Sequence, residues 1–294
     1  MEMRQMKDAG GATLYLKYYD GIYFPQNVIG DVKGHLEAIK SLKYKDGDVL
    51  LDTFPKTGTH WTFEIMHMLV TGKAEHYPNK TLALEFEPVE THDNLESPRV
   101  HTTHMFPQHV PQTLIDHQSK MVYVYRNPKD TAVSMYYFMK NLNAVVLNGY
   151  ETSWEHFIES YMKEKMPYNS WYEHVKAWLD FKKTHPEIPI LFIAFEDMKK
   201  DLRGCVQKIA EHLGSKQDPE FLDEVTDKCQ FSSMSRAKKS KEELKMGIGG
   251  NNPFYRKGDV GDWKNVFTVA QNEMFDAIAK ESMADIDLDI KYTL

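Results

Sequence analysis

The sequence is poor in cysteine, with only Cys205 and Cys229 among 294 residues. Two cysteines cannot build a disulfide framework, and no Cys/His spacing here resembles a zinc site. Long apolar runs are also missing. The longest, at 121–125 and 188–195, fall far short of the ~20 residues needed to span a bilayer. Residues 1–21 mix Arg4, Lys7, Asp8, Lys17 and Asp20 with scattered apolar side chains and lack the continuous apolar stretch of a signal peptide. Together these absences make the cytoplasm the expected compartment. No excess of positive charge exists: 36 Lys and Arg stand against 43 Asp and Glu, a net charge of −7. That balance argues against a general binder of nucleic acid or anionic membrane, while leaving room for a local basic site. No repeat, low-complexity tract or Pro/Gly/Ser linker divides the chain, so one domain over residues 1–294 is expected.

What is present is an ordinary globular composition, 41% apolar and 27% charged, which excludes a disordered chain. A chain of this size buries roughly 75% of its unfolded surface and needs no staples. Short apolar runs alternate with helical periodicity. Residues 48–54 (DVLLDTF) read as a buried strand, followed by Trp61, Ile65, Met68 and Leu69 at helix spacing and a stop at Gly72. Residues 120–125 (KMVYVY) read as a second strand, 126–129 as a turn and 130–140 as a helix. Trp171, Val175, Trp178 and Leu179 mark another helix, ending near His185 and Pro186. Residues 188–195 (IPILFIAF) read as a third strand, and Cys205, Val206, Ile209, Ala210 and Leu213 form one more helical stripe before Gly214. Apolar strands separated by helices predict an α/β fold, a central parallel sheet with helices on both faces. Ligands of such sheets sit at the carboxyl ends of the strands, which directs attention to the junctions after Phe54 and Tyr125. The last third is different: 238–245 is highly charged, 247–261 is rich in Gly and Asn, and Thr268 with Gln271 forms a capping box opening a final helix with Phe275 and Ile278.

Three elements carry anion-binding chemistry. TFPKTGTHW, residues 53–61, runs a strand through a glycine turn into a helix N-terminus, where main-chain N–H groups converge and the helix dipole favours negative charge. Lys56 adds a full charge, and Thr57 and Thr59 add hydroxyls around Gly58. The order of residues excludes a Walker A loop, because the lysine precedes the glycine. RNPKDTAVS places Arg126 at a strand end and Ser134 about two turns into the helix, within reach of a second anion. Taken alone, that junction also reads as a strand-end arginine paired with Asp130. Phe254, Tyr255, Arg256, Lys257 and Gly258 suit a loop that stacks on a base and grips phosphate.

In order and spacing these elements resemble the cytosolic sulfotransferases over essentially the whole chain. The family's TYPKSGTTW loop, which binds the 5′-phosphosulfate end of 3′-phosphoadenosine 5′-phosphosulfate (PAPS), reads TFPKTGTHW here. Its R-x7-S element for the 3′-phosphate matches Arg126 and Ser134, and its RKGxxGDWK element is present intact as RKGDVGDWK, residues 256–264. PYNSWYEHV (167–175) and FEDMKKD (195–201) match as well. The resemblance implies the P-loop-kinase-like sulfotransferase fold and sulfuryl transfer from PAPS, leaving 3′,5′-bisphosphate (PAP), to a hydroxyl of a small apolar acceptor, with no metal. It places the catalytic histidine on His104, in PRVHTTH (98–104), rather than on His101 or His109. It implies Lys56 at the leaving oxygen; Thr57, Gly58, Thr59 and His60 at the phosphosulfate; Trp61 and Phe195 sandwiching adenine; and Arg256, Lys257 and Gly258, beside Tyr255, over the 3′-phosphate. It also implies a weak homodimer through Lys264, Thr268, Val269 and Glu273.

Three positions depart from the family pattern. Thr102 stands where relatives have a lysine, His60 replaces the second loop threonine, and Phe195 replaces a tyrosine. Thr102 and His60 motivate a second expectation, a nucleotide-binding protein with weak or lost transferase activity. A P-loop kinase is excluded by the lysine order and by the intact RKGxxGDWK element. Phe86, Met135, Phe138, Tyr168 and Met246 lie near the motifs and are candidates for the acceptor pocket, although such residues also make plain core.

Overall fold

The structure, a computed structural model, describes residues 2–79, 81, 83–142, 147–163, 166–216, 218–237, 254 and 256–294. Met246, Tyr255 and the charged stretch 238–245 lie outside the described residues.

Two sheets are present among them. An antiparallel meander opens the chain: β1 (Glu2–Lys7), β2 (Thr13–Tyr19) and β3 (Ile22–Phe24). The second sheet is parallel, ordered β5-β4-β6-β7, with β4 Val49–Thr53, β5 Val100–Thr103, β6 Met121–Tyr125 and β7 Ile190–Ala194. Eight described helices have nine residues or more: α1 (Val32–Lys40), α2 (Thr59–Thr71), α3 (Pro128–Asn141), α4 (Trp154–Lys163), α5 (Trp171–Thr184), α6 (Leu202–Leu213), α7 (Pro219–Lys228) and α8 (Val269–Ser282). None of the described helices is long and apolar enough to cross a membrane.

The parallel sheet separates two cores by the two-residue period of its strands. Val49 and Leu51 of β4, with Val122 and Val124 of β6, pack beneath Ile65, Met66 and Met68 of α2 and Val206 and Ile209 of α6. Leu50, Met121, Tyr123 and Tyr125 face the other way, toward Leu36 and Ile39 of α1, Val133 of α3 and Val175 and Trp178 of α5. Both faces of β4 and β6 are therefore covered, the reason β6 is apolar throughout and β4 is apolar up to Asp52 and Thr53 at its carboxyl end.

Local boundaries shift slightly from the sequence reading. Helix α3 starts at Pro128, two residues before the expected position, because the Asn127 side chain caps Asp130 N–H and Pro128 fits the first turn. Phe195 is not the last residue of a strand; it opens the short helix Phe195–Lys200 after β7. Gly72 and Gly214 end α2 and α6 in left-handed conformation, and Thr268 and Gln271 form the expected capping box on α8.

Candidate active site

Each strand of the parallel sheet delivers one functional side chain directly beyond its carboxyl end. β4 leads into the loop carrying Lys56, β5 into His104, β6 into Arg126 and β7 into Phe195. All four line one cavity of about 610 Å³.

The turn after β4 is backbone-limited. Gly58 has φ +119°, and a Cβ there would come within 3.0 Å of the Phe195 ring. Lys56 takes φ +74°. Helix α2 follows at once, so its N-terminus faces the cavity. The Thr57 hydroxyl does not: the residue is fully buried, and the hydroxyl reaches the carbonyl oxygens of Phe54, at 2.7 Å, and Val124, at 3.0 Å. Thr59, His60 and Trp61 line the cavity. The Lys56 Nζ lies 3.9 Å from the centroid of Phe138 and 5.4 Å from that of Phe254. Burial, reinforced by the nearby Arg126 and Arg256 charges, lowers its pKa to about 7.

His104 is the first residue after β5. Its Nδ1 sits 2.7 Å from the carbonyl oxygen of Thr53. A carbonyl only accepts, so Nδ1 carries the proton and Nε2 keeps the lone pair. Burial lowers the pKa of the ring, opposed by the charge of Glu85 and the bond to Thr53. A neutral imidazole with an unprotonated Nε2 in a cavity is the form a general base requires. The other two histidines nearby are elsewhere: His101 lies 3.5 Å from Asp48, and His109 packs against Tyr19 and Phe24. Thr102 shares the cavity with His104, two positions earlier on the same side of the strand.

Arg126 is buried, and its Nη2 donates to the carbonyl oxygen of Asp259 at 2.7 Å. Its Nε finds no hydrogen-bond partner among the described residues. Asp130 is not its partner. That carboxylate accepts from the main-chain N–H of Gly261 at 2.7 Å and Trp263 at 2.9 Å, and from Asn127 Nδ2 at 2.8 Å. It thereby fixes the RKGDVGDWK segment beside Arg126. Arg256 Nη2 and Lys257 Nζ meet the carboxylate of Asp262 at 2.6 and 2.8 Å and hold its pKa down at about 2. Ser134, Arg256, Lys257 and Gly258 line the cavity with Arg126, which gathers three cations at one end. Gly258 has φ +66°, and a Cβ there would fall 2.5 Å from Phe231.

The two rings expected to sandwich a base do not stand parallel. Trp61 and Phe195 meet edge to face, 5.4 Å between centroids and 71° between planes, with Trp61 Nε1 bonded to the carbonyl oxygen of Cys229. No slot for a base separates them. Arg126 lies 4.4 Å from the Phe195 centroid.

Much of the remaining lining is apolar. Phe86, Met135, Phe138 and Tyr168 belong to it as the sequence reading proposed, and it also takes Leu14 and Leu16 from β2, with Leu142 and Leu147. Sequence reasoning missed the contribution of β2, although Leu14 and Leu16 alternate with Tyr15 and Lys17 as a half-buried strand does. Among the described residues, no group of three His, Cys, Asp or Glu side chains is placed to hold a metal ion.

Residues 46–287 match the sulfotransferase domain family. The chain belongs to that family. It is 35% identical to mouse sulfotransferase 1A1 over 272 residues, covering 87% of this chain and 91% of the relative. Human sulfotransferase 1C2 is 35% identical over 263 residues, covering 83% of this chain and 86% of the relative. The crystal structure of mouse sulfotransferase SULT7A1 complexed with PAP superimposes with a TM-score of 0.74 at 30% identity, over 92% of this chain and 96% of that one. Retinol dehydratase, at 21% identity and a TM-score of 0.73, shares the fold. The protein is accordingly a sulfotransferase, an enzyme that moves a sulfuryl group from an activated donor to an acceptor.

Proposed function

We propose that this sulfotransferase uses PAPS as donor and a hydroxyl of a small apolar molecule as acceptor, with His104 as general base. The observation that carries the reading is the convergence of four strand ends on one cavity whose lining combines Lys56, Arg126, Arg256 and Lys257 with Phe86, Met135, Phe138 and Tyr168. The donor's 3′-phosphate is held by Arg126 and Ser134 with Arg256, Lys257 and Gly258. Its phosphosulfate lies on the Gly58 turn, against Lys56, the main chain of Thr57, and Thr59 and His60, at the N-terminus of α2. Trp61 and Phe195 hold the adenine. His104 Nε2 takes the acceptor proton while Lys56 neutralises charge on the departing bridging oxygen. In-line sulfuryl transfer is loose, as phosphoryl transfer is, so positioning and charge supply most of the rate. The complex of the 30% identical mouse sulfotransferase with PAP supports the donor assignment. No metal enters this reading, and the enzyme acts in the cytoplasm as a weak homodimer.

Incubation with labelled PAPS and a panel of phenols (2-naphthol among them), sterols, alkyl alcohols and amines tests it. Transfer to at least one hydroxyl acceptor is expected. PAP binding without transfer to any member would instead establish the weak or inactive nucleotide-binding protein to which Thr102 and His60 point.

A further inference from the structure

The main chain of His104 is gripped from both sides by buried side chains. Glu85, in the turn Leu84–Phe86, has no exposed surface, and its Oε1 accepts the His104 N–H at 2.9 Å. The same oxygen accepts the Tyr168 hydroxyl at 3.0 Å, and Oε2 accepts the Thr103 hydroxyl at 2.9 Å. From α5, His174 Nε2 lies 3.0 Å from the His104 carbonyl oxygen, while its Nδ1 lies 2.8 Å from the Tyr123 hydroxyl. Three donors and no acceptor face Glu85 in these bonds, the surroundings of an ionised carboxylate. Phe86, the next residue, and Tyr168 both line the cavity.

We propose that Glu85 is a positioning residue for the transfer reaction: its carboxylate locks the backbone of His104 and orients Tyr168 on the cavity wall. The inference rests on the reading of His104 as the base.

The charges around the imidazole make Glu85 the decisive one. Asp52, on β4, is fully buried with neither oxygen hydrogen-bonded, its Oδ1 lies 3.7 Å from His174 Nε2, and burial together with the Glu85 charge pushes its carboxyl well above the usual range. His174 is also buried and neutral, its pKa lowered to about 3. Burial pushes the Tyr168 hydroxyl upward as well, so it stays a donor. Lys56 opposes the imidazolium and Glu85 favours it. Of these two neighbouring buried carboxyls, Glu85 accepts three hydrogen bonds and Asp52 accepts none, and Glu85 is the one that holds the histidine.

The pH dependence of kcat at saturating PAPS and acceptor separates this role from a merely structural one. Glu85→Gln keeps the shape and removes the charge, so the limb that rises with pH should move to lower pH, with a lower plateau. Tyr168→Phe removes a donor that partly compensates the carboxylate and keeps the ring, so its limb should move higher. PAP affinity in both variants should match the parent. If Glu85→Gln does not accumulate folded, Tyr168→Phe decides: an unmoved or lowered limb overturns the proposal. His104→Ala distinguishes the two failures. A parent-like limb in His104→Ala removes the base and this proposal with it. An inert His104→Ala beside a Glu85→Gln with an unmoved limb removes only the role given to Glu85.

Discussion

The Lys56 ammonium lies 3.9 Å over the ring of Phe138, so the lysine assigned to the leaving oxygen rests on a wall of the acceptor end. Burial and two arginines bring its pKa to about 7, so at pH 8 most of the population is neutral. Phosphates bound beside it reverse that balance and raise the pKa. PAP binding should therefore take up close to one proton at pH 8, and affinity should fall as pH rises above 7. Calorimetry in buffers of different ionisation heat measures the uptake, which Lys56→Met should abolish. A binding heat independent of buffer would contradict the assignment.

Arg126 supplies the second expected outcome. Its unpaired Nε and its place between Lys56 and the RKGDVGDWK segment suit a buried phosphate. Arg126→Ala should weaken PAP by about 2–5 kcal/mol, the scale for truncating one side of a buried charged pair. Because the site leaves donors unpaired without the 3′-phosphate, the 3′-dephosphorylated donor should bind the parent enzyme orders of magnitude more weakly. Equal affinity of mutant and parent would remove Arg126 from the phosphate site.

Much of this arrangement was legible because parallel strands buried on both faces are written as apolar runs, and the lysine and arginine after them stand out. β5 was not legible: VHTT carries His101 and Thr103, whose side chains belong to buried polar clusters with Asp48 and Glu85. The meander β1–β3 was hidden by its half-exposed alternation of charged and apolar residues. Glu85 lies 19 positions from His104 and belongs to no recognisable pattern, since a three-residue turn leaves no period to read. The pairing of Arg126 with Asp130 looked reasonable from spacing alone, yet Asp130 is drawn to main-chain N–H groups 131 and 133 residues away. Spacing gives local partners; only the fold gives distant ones.

The two loop glycines should be intolerant of a methyl group. Gly58→Ala must adopt φ near +119° with its Cβ against Phe195, and Gly258→Ala must do so near +66° with its Cβ inside contact distance of Phe231. Backbone strain of this kind costs about 1–3 kcal/mol per site. Both variants should lose PAP affinity by roughly tenfold or more while thermal stability changes modestly, because both loops serve the cavity rather than the cores. Unchanged PAP binding in either would show that its loop does not shape the donor end.

Association is the fourth. Val269 is 76% exposed at the start of α8, and Met274 on the same helix is 44% exposed. A two-fold axis through this segment would place Lys264 of one protomer near Glu273 of its partner. A patch this small buries less than the ~1,600 Å² of a standard interface, so the dimer should be weak. Sedimentation at tens of micromolar should show a concentration-dependent dimer that Val269→Glu dissociates; a monomer in both proteins would refute it.

Thr102 is the departure closest to the chemistry. It lines the cavity two positions before His104, at the place of a lysine in the family pattern, so on the proposed mechanism one cationic contact to the developing charge would be absent. Either the step is slower for it or another cation substitutes. Lys56, proposed at the leaving oxygen, has its own proton affinity depressed by burial and by Arg126 and Arg256, so it is a poor substitute. The slower step is the better account. His104→Ala should lower turnover at least ~10²-fold, the usual contribution of a general base, and leave PAP affinity almost unchanged. Thr102→Lys should speed the chemical step in single turnover with little change in donor affinity. The added ammonium enters a buried position, so its benefit should be largest below neutral pH, where burial does not strip it of its proton. A slower single turnover at every pH would mean that the site is built around the threonine and that the family's lysine has no counterpart here.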